Sequence, residues 1–117
     1  MWLITPIGFF SIVEKPSDRG RGTLTVRARV RQDLEALQSE CLYSLGPISA
    51  STDTDYRYRA TAQRTEVAAA VARMVETLDY DNFKSAVARQ QGRKRADLYH
   101  DVWAALYRLQ RDGGADA

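Results

Sequence analysis

The stretch Thr23-Leu24-Thr25-Val26-Arg27-Ala28-Arg29-Val30-Arg31 decides how the rest of the chain is read. Leu24, Val26, Ala28 and Val30 fall on one side of it; Thr25, Arg27, Arg29 and Arg31 fall on the other. Strict alternation of this kind marks a strand with one face in a core and one in water. Because the wet side carries three guanidinium groups, the same residues raise both the question of fold and the question of surface chemistry.

Upstream, Trp2 to Val13 is apolar on both alternating faces, with Leu3, Ile7, Phe9 and Val13 on one and Trp2, Ile4, Phe10 and Ile12 on the other. That pattern predicts a strand central in its sheet, with a bend or bulge at Pro6 and Gly8. Lys15 to Gly22 is polar and turn-rich, so the two strands read as a hairpin. Downstream, Leu34, Leu37, Cys41, Leu42 and Leu45 make one apolar stripe and predict a helix over Asp33 to Leu45, stopped by Gly46-Pro47. Tyr56 to Gln63 alternates again and predicts a third strand, with Arg57 and Arg59 on one face.

Thr65 is the expected cap of a second helix striped by Val67, Val71, Met74, Val75 and Leu78. Asp81 or Asn82 then caps a further helix through Phe83 and Val87. Gly92 predicts a kink or short turn, and Leu98, Tyr99, Val102, Trp103, Leu106 and Leu109 stripe the last helix. The expected order is β-β-α-β-α-α. A right-handed crossover between the second and third strands makes them parallel, with the first strand between them. The expected fold is thus α+β: a small mixed three-stranded sheet, order 2-1-3, with helices packed on it, a truncated ferredoxin-like domain. It covers residues 1–110, followed by a flexible tail over 111–117.

The 117 residues suffice for one such domain, and 44% hydrophobic with 27% charged residues is ordinary globular composition. Seventeen Lys and Arg against fifteen Asp and Glu leave a net charge of +2, too small to announce a nucleic-acid binder. One Cys excludes a disulfide framework, and one Cys with one His excludes a Cys/His zinc site. No Lys or Arg precedes Lys15, so the apolar start does not read as a signal peptide, and it is too short to span a bilayer. The expected location is the cytoplasm.

Catalytic chemistry has little support. Cys41 sits in an apolar stripe and reads as a small core residue. His100 lies three residues after Asp97 and next to Asp101, a minimal acid–base element with no evident nucleophile. The Asp53/Asp55 and Asp79/Asp81 pairs do not match a calcium loop, and no phosphate-cradling glycine motif occurs. No cofactor and no metal is expected.

The basic surface says more. Arg19 to Arg31 holds five arginines and no acid. If the rows Arg27, Arg29, Arg31 and Arg57, Arg59 emerge on the side away from the helices, five guanidiniums share a surface. Trp2 or Phe10 would lie among them. Charge for phosphates and rings for bases is how sheet modules hold single-stranded nucleic acid. Alternating arginines are equally the wet face of an ordinary strand, with fifteen acids to pair with. The last helix carries Tyr99, Trp103 and Tyr107, residue types that suit a protein partner or a second copy of the chain.

Three stretches are also familiar together: Thr5 to Val13 with Lys15-Pro16; Leu24 to Arg29 with Asp33-Leu34; and Asp79 to Lys84 before Tyr99-His100-Asp101-Val102-Trp103. Between Trp2 and Gln110 the chain resembles a group of short uncharacterised bacterial proteins. The resemblance implies a free-standing small domain and brings no activity or site residue with it. The expected function is a non-enzymatic module that holds a polyanion, single-stranded nucleic acid, on its basic sheet face. The alternative is a protein-binding regulator or inhibitor, for example of a bacterial defence system, or a homodimer. An enzyme built on His100 with Asp97 or Asp101 comes third.

Overall fold

In a computed structural model, which describes residues 1–113, the chain forms two compact units, Met1–Asp79 and Tyr80–Ala117. The first holds a sheet of five strands: β1 (Trp2–Thr5), β2 (Gly8–Val13), β3 (Thr23–Ala28), β4 (Ser49–Ala50) and β5 (Tyr58–Gln63). Their order is β1-β2-β3-β5-β4, and every neighbouring pair is antiparallel. Two helices, α1 (Arg31–Glu40) and α2 (Arg64–Glu76), complete the unit.

This corrects the expected three-stranded sheet of order 2-1-3 in two ways. Residues 2–13 are not one central strand but a hairpin. Thr5 organises its turn: its Oγ1 accepts from the amides of Ile7 (3.2 Å) and Gly8 (3.1 Å) and donates to the Gly8 carbonyl (2.9 Å). The second correction concerns the crossover. The strand that returns parallel to β3 after α1 is the two-residue β4, at the sheet edge; the chain then reverses, and β5 inserts between β4 and β3. β5 therefore pairs directly with β3 and runs antiparallel to it, so the ferredoxin-like arrangement does not form.

The alternation itself is as the sequence predicts. Val26, Ala28, Ala60 and Ala62 point into the core with Phe10 and Ile12 of β2, and Leu34, Leu37, Val67 and Ala70 of the two helices cover them. Both helices thus lie on one face of the sheet. α1 ends at Glu40, earlier than the expected Leu45, yet Leu42 and Leu45 still reach the core from the irregular segment that follows. Phe10 and Leu34 are fully buried; shortening either to Ala would cost about 2–5 kcal/mol.

The second unit contains α3 (Phe83–Gln91) and α4 (Arg93–Gly113). Asn82 is the N-cap of α3, its side chain accepting from the Ser85 amide at 2.9 Å. Gly92 separates the helices with φ of 95°, a left-handed value that a side chain would strain. Phe83 of α3 stacks on Tyr99 of α4 at 5.9 Å. Of the expected tail over 111–117, Arg111 to Gly113 form the end of α4, and 114–117 lie outside the described residues.

Candidate nucleic-acid interface

The sheet face away from α1 and α2 carries Phe9 and Ser11 of β2, Thr23, Thr25 and Arg27 of β3, and Arg59, Thr61 and Gln63 of β5. β3 and β5 pair in a register that sets Arg27 directly opposite Arg59. Both are half-buried, and the Nε atom of each is buried without a hydrogen-bond partner. Arg27 donates to the Ser11 hydroxyl at 2.7 Å, and Arg59 to the Tyr56 carbonyl at 3.4 Å. Neither pairs with a carboxylate among the described residues, whereas Arg19, Arg31, Arg64, Arg108 and Arg111 do. Like charges directly opposite on a sheet destabilise it, and desolvating them adds to the cost. An anion would remove both penalties.

Aromatic rings lie alongside. The Tyr56 ring, buried, has the guanidinium of Arg27 at 4.5 Å and that of Arg29 at 4.3 Å from its centroid. Phe9 is 6.2 Å from Tyr56, and Trp2 meets Phe9 edge-on at 5.6 Å. Trp2, at 67% exposure, presents the open end of this row. Cation–π contacts hold the guanidinium planes without neutralising them. Beside Arg59 an open cleft of about 610 Å³ is lined by Lys15, Ser17, Thr25, Ser49 and Thr61 among others.

One buried carboxylate shapes this cleft. Asp18 ends a short 3-10 turn at Pro16–Asp18 and accepts from Thr23 Oγ1 (2.6 Å), Thr25 Oγ1 (2.8 Å) and the Lys15 amide (2.8 Å). Burial pushes its pKa up, but these hydrogen bonds and the charge of Arg21 outweigh it and hold the carboxyl below its ordinary value. The connection after β2 is thereby fastened to the sheet, bringing Lys15 to the cleft.

The five arginines expected on one face therefore part company. Arg27 and Arg59 form the centre, and Arg29 joins through Tyr56 while donating to the Asp55 carbonyl at 2.6 Å. Arg31 lies in the first turn of α1, paired with Glu35 at 3.5 Å, because β3 ends at Ala28. Arg57 precedes β5 and lies 5.9 Å from the Tyr58 ring. The aromatic on this face is Phe9, not Phe10, which is fully buried in the core. Tyr56 was legible only as part of an alternating row; what it touches depends on how the chain enters β5.

On the second unit, Tyr99 is buried, with its hydroxyl 3.1 Å from Arg95, and is not available to a partner. Trp103 and Tyr107 are exposed and stacked on each other at 5.3 Å. His100 stacks on Trp103, and its Nδ1 lies 3.0 Å from the Lys84 ammonium; its partners are these two and not Asp97 or Asp101. Cys41 caps the end of α1, half-buried, with burial pushing its thiol pKa up and Glu40 adding to the shift. Its carbonyl accepts from Arg73. Among the described residues no cluster of three His, Cys, Asp or Glu could hold a metal, and no helix is long and apolar enough to cross a membrane.

Comparison with family models, with curated proteins and with solved structures finds no match to this chain.

Proposed function

We propose that this chain is a non-enzymatic binding module that holds single-stranded nucleic acid on the basic face of its sheet, away from the helices. The observation that carries this reading is Arg27 opposite Arg59, two half-buried guanidiniums in direct register with no carboxylate between them. In that setting a phosphate is the group that satisfies both forks at once. Exposed Trp2, with Phe9 beside it, supports a strand with accessible bases rather than free phosphate, because unstacked bases settle on aromatic faces, while buried Tyr56 holds the guanidiniums in place. Lys15 and the hydroxyls of Ser17, Thr25 and Thr61 extend the polar track into the cleft. We place the module in the cytoplasm, a reducing compartment that suits the unpaired Cys41.

The test is fluorescence anisotropy of a labelled oligothymidylate at low and near-physiological salt. Wild-type affinity should fall about tenfold between 50 and 200 mM salt, as expected when a few phosphates release counterions. Arg27→Ala/Arg59→Ala should lose most of the low-salt affinity while keeping its circular dichroism spectrum. No wild-type binding at low salt, or equal binding by the double variant, would overturn the reading.

A further inference from the structure

α4 is far longer than the helix that packs on it. Its 21 residues extend about 31 Å, whereas the nine of α3 extend about 13 Å. Every described residue from Trp103 onward is exposed. The exposed part is not polar: Leu98 is 56%, Leu106 58% and Leu109 72% exposed. Helices in proteins draw most of their stability from packing an apolar face against a neighbour.

Leu98, Val102, Ala105 and Leu109 follow one another at spacings of four, three and four residues, the spacing of a coiled-coil seam. This stripe lies beside the face that carries Ala96 and Tyr99, where α3 packs, so both can be covered at once. The stripe is also self-complementary. Leu98 against Leu109 of a second, antiparallel copy places Val102 against Ala105, because both pairs have the same midpoint. That is the condition for a two-fold interface between identical surfaces.

The charges select the direction. Asp97 and Asp101 lie in the first half of α4, and Arg108 and Arg111 in the second. Asp101 and Arg108 flank the stripe on the same side. An antiparallel pair brings Asp101 of each copy beside Arg108 of the other, whereas a parallel pair leaves the two copies' Asp101 and Arg108 on opposite sides of the seam, where neither meets the other. Among the described residues Arg108 pairs with Asp112 of its own helix, an exposed contact at 3.6 Å that is easily exchanged.

We propose that α4 is a homodimer interface: it pairs antiparallel with α4 of a second copy through Leu98, Val102, Ala105 and Leu109, with Asp101 and Arg108 facing across the two-fold axis. The inference rests on α4 alone and stands independently of nucleic-acid binding.

Sedimentation equilibrium on the full chain tests it. Wild type should associate reversibly to a dimer. Leu98→Glu/Leu109→Glu should weaken the dimer about a hundredfold or more, by burying unpaired charge in the seam. Asp101→Arg alone and Arg108→Asp alone should each weaken it about tenfold. An equimolar mixture of these two charge variants should recover dimer, because each copy then offers what the other lacks. Circular dichroism identifies any variant that fails to fold. A wild type that stays monomeric at high concentration, or a mixture no better than its components, would overturn the proposal.

Discussion

The carboxylate of Asp33 on α1 fills the place where a side chain on Gly8 would begin. A Cβ built at residue 8 would lie 2.7 Å from the Asp33 Cγ and 2.8 Å from its Cβ, well inside van der Waals contact. The same carboxylate accepts from the Phe9 amide at 3.0 Å, so the first turn of α1 is fastened to the start of β2. Gly8→Ala should therefore cost about 1–3 kcal/mol in urea denaturation, the range for overpacking a closed site. In an Asp33→Gly background the same change should be nearly neutral, a coupling that a double-mutant cycle reads directly.

If Arg59 binds phosphate as proposed, it should be held at a cost to stability. Arg59→Met keeps the length of the side chain, removes a like charge from opposite Arg27 and removes a buried Nε without a partner. It should raise stability by about 0.5–1 kcal/mol, a shift of roughly 3–6 °C in Tm for a chain of this size. It should also weaken oligonucleotide binding. Wild type should gain Tm in the presence of oligothymidylate, and Arg59→Met should gain much less.

Trp2 should matter for binding and little for folding, since it is mostly exposed and touches the row only through Phe9. Trp2→Ala should weaken oligonucleotide affinity about fivefold to a hundredfold, the range for removing one stacked base, with Tm almost unchanged. In a Trp103→Phe background the remaining tryptophan emission should be quenched on titration with the oligonucleotide. Emission that does not respond would place the bases elsewhere.

Asp18 gives stability a defined pH dependence. Its folded pKa is depressed, so the unfolded chain binds its proton more readily. The stabilisation is fully present above the ordinary Asp value and is lost as pH falls through the lower, folded one. Asp18→Asn should flatten that acid segment of a stability–pH profile. At neutral pH it should cost about 1–3 kcal/mol, because an amide cannot accept all the hydrogen bonds now made to the carboxylate.

The alternation at residues 23–28 and 58–63 correctly sorts Val26, Ala28, Ala60 and Ala62 into the core and Arg27 and Arg59 onto the other face. The Asn82 cap and the break at Gly92 were likewise legible, because caps and left-handed backbone depend on neighbours in sequence. The division of residues 2–13 into a hairpin was not. Both faces of that stretch are apolar, so periodicity offers no mark where the chain turns, and Thr5 makes the turn with hydrogen bonds that no pattern of hydrophobicity records.

By itself, then, the sequence determined which face of β3 and β5 turns from the core, since that depends only on residue parity. The tertiary structure decided which wet faces meet. Arg27 stands beside Arg59 because β5 pairs with β3, a contact between positions 32 residues apart that a different strand order would not make. Arg31 and Arg57 left the row because the strands stop short of them, and Tyr56 entered it because β5 begins just after it. Parity is a local property of the chain. Register and strand order are won by burial summed over the whole sheet, and that sum is not written in any one segment.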